Sequence, residues 1–495
     1  MILLSRCRVH TSQHARSIKN LFLVITLLLV FIINTRTPVD ADMWWHLRTG
    51  EEMWQRGEIL TKDVFSYTRY GAPWVNAFWI SDLGMYGLFS AGKYLALGAI
   101  VALLGAVSMG IVYVHSKGAP FLRTAIIILA ALAAAPVWTP RPQLLSFLIL
   151  AWLDYWMALR QKKEGPPLWL LPLVFSLWAN LHGGFIWGFL LLIAYLAGNA
   201  LSRFLGNGAS SNHNIKALFL WILVSALAVS LNPNGIAIWR LPFNQVKVSI
   251  IMIQEWLSPD FHQVSLHPFL GLVFLLLAGI ALSGKRLDYS DLLKVVGFSY
   301  LAFVSQRNLA PFAIIIAPII SIQLNYVWED WKQKPSIKHI KGLLAKDAIT
   351  TLPQRRRTLL NIIIIGAISL AALTRLYLLT LPSQIENNVP AEAVQWIETR
   401  HPPGRIFNSY NWGGYLLWAL HDYPVFIDGR ADLYGAEIID QWWEVTQATE
   451  TGFHILDKWQ VHLIVLEPTW PIVKELPERG WKLLYHDEKV IIYGR

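Results

Sequence analysis

The chain has 495 residues, of which 55% are hydrophobic and 24 are tryptophan, and its mean hydropathy of +0.42 lies far from that of an average soluble domain. A single cysteine, Cys7, excludes a disulfide framework and any cysteine-based metal site. The formal charge of +10 would suit a nucleic-acid partner, but the basic residues are sorted by loop, so none is expected.

In chain order, Arg6, Arg8, Arg16 and Lys19 precede the apolar run Leu21–Ile33. This looks like a secretion signal, yet no small-residue cleavage site follows and many further apolar runs do. It is therefore read as an uncleaved first helix with its N-terminus in the cytoplasm. Residues 35–78 form a long first external loop. The stretch 78–113 has room for one crossing plus an interfacial helix, or for two short spans. Apolar runs of spanning length follow at 122–138, 143–159, 167–181, 184–202, 216–231, 268–283, 290–305, 309–327 and 358–380.

Charge separates the two topologies. If 78–113 crosses once, the inside segments hold 22 Lys and Arg and the outside loops 9. Two crossings would place Arg355, Arg356 and Arg357 outside, against the positive-inside rule. The expected architecture is thus a polytopic α-helical membrane domain over 1–381 with about eleven spans and a second long external loop at 232–267. With few cysteines and bacterial-looking loops, the expected location is a bacterial inner membrane.

From Pro382 to Arg495 the apolar runs shorten to strand length, at Arg405–Asn408, Val425–Asp428, His462–Leu466, Trp481–Tyr485 and Val490–Tyr493. Helical patterns alternate with them near Ala391–Arg400, Gly414–Leu420, Ala436–Gln447 and Pro471–Leu476. That alternation predicts a small extracytoplasmic α/β domain over 382–495.

The unusual polar sequences all fall outside. VDADMWWHLRTG, Val39 to Gly50, packs Asp40, Asp42, His46 and Arg48 beside Trp44 and Trp45 directly after the first span. Carboxylates are costly next to hydrocarbon, so such a cluster points to function, although Trp and Arg also anchor ordinary interfaces. VWTPRPQ (Val137 to Gln143), ANLHGG (Ala179 to Gly184), LNPNG (Leu231 to Gly235), IQEW (Ile253 to Trp256) and SQRN (Ser305 to Asn308) share that side. Pro140 and Pro142 are also helix terminators, the Asn-Pro-Asn-Gly run is a turn signal, and His182 reads equally well as a packed interhelical hydrogen-bonder. Arg307, followed by Asn308 and a re-entering helix, suits an anionic ligand. In the tail, NSYNWGGYLLW (Asn408 to Trp418) and FIDGRADLY (Phe426 to Tyr434) each follow a strand, where α/β sheets bind ligands.

In these residues the chain resembles the GT-C superfamily of polytopic glycosyltransferases and, within it, the catalytic subunit of oligosaccharyltransferase. That family carries an Asp-x-Trp-Tyr-His-x-Arg type motif in its first external loop, matched by Asp42, Trp44, Trp45, His46 and Arg48. Met252-Ile253-Gln254-Glu255 is similar to its Thr-Ile-x-Glu type motif, and Ser409 to Tyr415 to its Trp-Trp-Asp-Tyr-Gly signature, with Asp428-Gly429-Arg430 at the following strand end. The resemblance implies a GT-C-like fold, a divalent cation (Mg or Mn) held by Asp42 and Glu255, and an acceptor site at Asn411, Trp412, Asp428 and Arg430. Two departures stand out. Asn411 replaces the signature aspartate that helps hold an Asn-x-Ser/Thr peptide, so the likeness carries sugar transfer further than protein N-glycosylation. VWTPRPQ contains none of the acidic metal ligands that the family's second external loop usually brings.

The chemistry suits an inverting glycosyltransferase that takes a sugar from a polyprenyl-phosphate-linked donor in the bilayer to a glycan, lipid or protein acceptor at its outer face. The acceptor needs a carboxylate for its proton, for which Asp42 comes first and Asp40 second, with Glu255 the third acid of the catalytic set. The departing phosphate needs cationic donors: Arg307 and Arg141, with His182, His46 and Arg48 beside them. Trp44, Trp45, Trp138 and Trp256 are expected mostly at the membrane interface. A transporter would put ionisable residues at mid-membrane, whereas the charges here sit at span ends. The more serious alternative is a non-catalytic relative that binds lipid-linked glycan or a partner through its soluble domain. The topology has a direct check: a reporter active only outside the cytoplasm, fused after Arg495, is expected to score, and silence there would reverse the assignment.

Overall fold

The computed structural model describes residues 2–205, 215–241, 254–334 and 353–495. All eleven predicted apolar runs fall on helices: α1 (Ile2–Asn34), α3 (Trp79–His115), α4 (Pro120–Ala134), α5 (Gln143–Gln161), α6 (Leu171–Leu181) and α7 (Phe185–Phe204), then α8 (Ile215–Ala228), α9 (His267–Ser283), α10 (Tyr289–Val304), α11 (Leu309–Gln333) and α12 (Gln354–Leu379). Six are long and apolar enough to cross a bilayer by length and composition. At the centre stands α11, whose first turns from Leu309 to Ile320 are buried on every side, as a helix apolar all round must be.

The ambiguous stretch 78–113 is the single kinked helix α3, with Gly92 and Lys93 out of helical geometry. Its first half lies along the outer end of the bundle. There Trp79 donates to Asn180 (2.7 Å) and Ser81 to the carbonyl of Leu181 (2.7 Å), while Phe89 meets Trp418 of the tail. Its second half descends along α1, with Gly105 against Asn34 and Gly110 against Leu27. Residues 94–115 are about 33 Å of helix, enough for one crossing.

One expectation fails inside the bundle. Not every charge sits at a span end: Asp154 is buried, accepting from Tyr195 (2.9 Å) with Lys294 at 3.3 Å and His115 at 3.2 Å. The opposite charges lie side by side, which is how such groups persist within a helical bundle.

The first external loop holds a helix of its own, α2 (Ala41–Arg56). Asp40 caps it, its Oδ1 accepting the amide of Asp42 at 2.9 Å, and Gly57 closes it with a left-handed φ of 68°. Arg48 pairs with Glu51 and Glu52, each at 2.9 Å, along the same helix.

Beyond Leu379 come α13 (Pro382–Glu386), α14 (Ala391–Arg400), β1 (Arg405–Asn408), α15 (Gly413–Ala419), α16 (Ala431–Thr446), α17 (Glu450–Lys458), β2 (Val461–Leu466), α18 (Ile472–Glu475), β3 (Lys482–His486) and β4 (Ile491–Gly494). The sheet order is β1-β2-β4-β3, with β1 and β2 parallel and the other pairs antiparallel. The predicted strand Val425–Asp428 makes only single bridges, with Ile406 of β1 on one side and Ser66 of the first external loop on the other.

That second bridge is part of a larger union. Tyr67 donates its hydroxyl to the Ile406 carbonyl (3.0 Å), Thr68 to that of Phe426 (2.6 Å), and Arg69 reaches the Tyr434 carbonyl (2.9 Å). Met53, Leu60, Phe65 and Trp74 sit in one apolar core with Ile406, Phe407, Phe426 and Ile464. At its centre the fully buried Arg430 is bound by Asp428 (2.6 Å) and Asp63 (2.8 Å), its guanidinium between the rings of Phe65 and Trp74. Removing one partner of a buried ion cluster strands the others, at a cost of about 3–5 kcal/mol. Arg430→Ala is therefore expected to lower the melting temperature and open the segment around residue 430 to protease; an unchanged melt would show that the cluster does not hold the two parts together.

Candidate active site

Where the tail meets the bundle lies an open cavity of about 550 Å³. Asp40, Asp42, Trp45 and His46 of the first loop line one wall, and Val137, Arg141 and Gln143 the second. His182, Glu255, Trp256 and Arg307 complete the membrane-side lining, and Tyr410, Asn411, Gly429, Ala431 and Asp432 come from the tail. Sequence positions hundreds of residues apart thus meet in one place.

Arg141 is its hub. Its Nη1 donates to Asp42 Oδ2 (3.0 Å), its Nη2 to Glu255 Oε2 (2.7 Å), and its Nε to Thr139 Oγ1 (2.9 Å), with Asp40 Oδ2 3.4 Å from Nε. Pro140 and Pro142 flank it and restrict its backbone. Arg307 lies 3.3 Å from Glu255 Oε1 and over the ring of Trp256. The Gln306 amide donates to the Leu257 carbonyl and the Ser305 hydroxyl to the Glu255 carbonyl, tying the two loops together.

The acids differ in charge state. Burial pushes the Asp42 carboxyl up, Asp40 and Glu255 add to this, and Arg141 only partly compensates, leaving it at about 6. Glu255 is also buried, but the guanidinium groups of Arg141 and Arg307 hold it down at about 2. Burial, with Arg307 and Arg141 nearby, lowers His182 to about 3, so its ring is neutral. Its Nδ1 receives the Gly184 amide (2.9 Å) and faces the Ser146 hydroxyl (2.7 Å), which itself accepts from Trp178. The ring proton therefore sits on Nε2. Both readings of His182 hold: it is a packed interhelical hydrogen-bonder and it lines the cavity.

His46 also lines the cavity, but burial keeps it neutral and its Nδ1 is committed to Asp82 (2.7 Å), its ring against Trp45. Arg48 lies apart from the cavity, both its carboxylate partners belonging to α2, so its placement gives a phosphate nothing. In the tail only Asn411 of the four expected acceptor residues lines the cavity. Trp412 packs against the α/β core, and Asp428 and Arg430 are spent on the buried cluster with Asp63 and Tyr434. Trp44 and Trp138 are core residues, not interfacial ones, while Trp45 and Trp256 face the cavity. Met252 and Ile253 lie outside the described residues.

Two cavity residues, Asp432 and Tyr410, lie within stretches the sequence points to but are not among its candidate site residues. Asp432 sits in the first turn of α16, where burial pushes its carboxyl up to about 6 against the pull of its own backbone amide and Arg430. The tail's glycines have a plain steric meaning. A Cβ on Gly413 would strike the Ile427 carbonyl, one on Gly414 would lie 2.5 Å from the Ala41 carbonyl, and one on Gly429 would strike Asp42 Oδ1.

The residues do not fit a divalent cation. Asp42 and Glu255 each give an oxygen to Arg141, and no group of three His, Cys, Asp or Glu able to hold a metal exists among the described residues. Gly429→Ala tests the close approach of the tail: it is expected to leave the protein folded but to displace Asp42 from Arg141, lowering the Asp42 carboxyl's hold on the cavity visibly in a crystal or cryo-EM map. An unmoved Asp42 would refute the contact.

No family model and no curated protein matches the chain. Among solved structures it is similar to the archaeal oligosaccharyltransferase AglB from Archaeoglobus fulgidus in complex with an inhibitory peptide and a dolichol-phosphate. That match has 12% identity and a TM-score of 0.63, covering 96% of this chain and 74% of that one. The apo form of the A. fulgidus oligosaccharyltransferase matches with 13% identity and a TM-score of 0.52, over 90% of this chain and 69% of that one. The same enzyme tethered to an acceptor peptide containing the NVT sequon matches with 13% identity and a TM-score of 0.54, over 96% and 73%. The chain therefore has the fold of these oligosaccharyltransferase structures.

Proposed function

We propose that the chain is an inverting glycosyltransferase that moves a sugar from a polyprenyl-phosphate-linked donor to an acceptor on the outer face of a bacterial inner membrane, with the N-terminus in the cytoplasm and the α/β domain outside. The observation that carries this reading is the meeting of a buried carboxyl raised to about 6, Asp42, with two guanidinium groups, Arg141 and Arg307, in one cavity at the end of an apolar bundle. A relative in fold binds a dolichol-phosphate, a lipid of the class proposed here.

In this mechanism the acceptor enters between the tail and the bundle, near Asn411 and Asp432. Asp42 takes its proton as it attacks the anomeric carbon. A base with a pKa near the working pH is both ionised and able to accept. Arg141 and Arg307 hold the departing phosphate, and the Nε2–H of neutral His182 is a further donor to its oxygens. Asp40 orients by capping α2, which fixes where Asp42 points. Glu255, ionised between its two arginines, aligns them.

A second reading, binding without turnover, is favoured by one observation: Asp42 already has partners in Arg141 and Trp45. Purified protein with lipid-linked sugars decides. Release of polyprenyl (pyro)phosphate is expected, with kcat/KM level above about pH 6 and falling tenfold per unit below it, because Asp42 must be ionised to act and its raised carboxyl protonates there. Asp42→Asn should lose at least about 10²-fold and abolish that limb. Donor binding with no release would establish the binding module instead.

A further inference from the structure

The two residues that the family resemblance would give to a metal have all four oxygens facing donors of the protein itself. Asp42 Oδ2 and Glu255 Oε2 both accept from the same guanidinium, at 3.0 and 2.7 Å. Asp42 Oδ1 accepts from Trp45 (3.0 Å), and Glu255 Oε1 faces Arg307 (3.3 Å). Asp40 is engaged in the same way, one oxygen on the Asp42 amide and the other on Arg141. An ion placed between these acids would have to displace Arg141 or stand beside its full positive charge.

Arg141 is built to stay. It lies between two prolines, its Nε is tied to Thr139, and its fork is held by acids from two separate loops. These contacts use three of its five N–H groups, leaving one on each terminal nitrogen, and the residue lines the cavity. A planar fork so held matches two phosphate oxygens as a pair, which a point charge does not. The absence of acids from VWTPRPQ then has a reason: the loop supplies the cation itself and has no ion to ligate.

We propose that Arg141 stands in this site where a divalent cation would, gathering Asp40, Asp42 and Glu255 and presenting fixed positive charge to the leaving phosphate, and that the chain works without a metal. That Arg141 gathers the acids in place of an ion stands without the glycosyl-transfer reading; its part at the leaving phosphate and turnover without a metal rest on that reading, and the two are tested separately.

Mn²⁺ binding is read by electron paramagnetic resonance on the purified full chain in detergent, without any substrate. The native protein is expected to leave the aqueous Mn²⁺ signal undiminished, and Arg141→Ala, which frees the carboxylates, to gain a site that a further Glu255→Ala removes. In transfer assays EDTA is expected to change the native rate less than about twofold, while Arg141→Ala loses about 10²–10³-fold, the scale of a removed transition-state donor. Should Arg141→Ala fail to fold by size exclusion, Arg141→Lys takes its place, still binding no Mn²⁺ and losing at least about tenfold for want of the fork. Stoichiometric Mn²⁺ on the native chain, lost in Asp42→Asn, overturns the proposal, as does transfer abolished by EDTA and restored by Mn²⁺. If no transfer occurs under any condition, the glycosyl-transfer reading fails and the Mn²⁺ measurement still decides what Arg141 replaces.

Discussion

The architecture hangs on a guanidinium no solvent reaches. Arg430 joins Asp428 of the tail to Asp63 of the first external loop, and its chain neighbours Gly429 and Ala431 line the cavity. Its ion pairs tie the tail to the segment between α1 and α3. The surroundings follow from that placement: Phe65 and Trp74 sandwich the charge, and residues 66 to 69 lie against the strand end at Val425 and Phe426. A buried ion cluster is a poor source of net stability, but it tolerates few alternative arrangements. Here it sets one interface between two parts of the chain.

Within the cavity, a second arginine divides like groups into unlike ones. Asp42 and Glu255 are both carboxylates bonded to Arg141, yet one titrates near neutrality and the other stays ionised. The difference is Arg307, which faces Glu255 alone, together with Asp40, whose negative charge lies beside Asp42. His182 is likewise neutral by construction, being buried near two cations with its Nδ1 already supplied with donors. One pocket thus contains a fixed anion, a titratable acid, a neutral donor and two cations. Those are the species required for moving a proton one way and a phosphate the other.

The membrane part contributes position more than chemistry. The kink at Gly92–Lys93 lets α3 run along the outer end of the bundle before descending, so that Trp79 and Ser81 brace the loop carrying His182. The short helical turns at 254–256 and 306–308 are laced together by Gln306 and Ser305, bringing Glu255 to Arg307. Asn234 reaches the Asn76 carbonyl, so even the Asn-Pro-Asn-Gly turn acts as a strut for the first loop.

The sequence by itself determined the apolar helices, their order and four of the five strands expected in the tail, because hydrophobic period is local and survives without a fold. Asp42, Arg141 and Arg307 were legible because a charge beside a span end is costly wherever it finally lies, and Glu255 because its loop resembles a family motif. Tertiary structure alone decided which of them touch. It withdrew Asp428 and Arg430 into a buried latch, turned Arg48 toward its own helix, and brought Asp432 to the cavity. It also showed that the glycines at 413, 414 and 429 are there for close approach. These outcomes depend on which distant surface each side chain meets, and no local pattern encodes a partner hundreds of residues away.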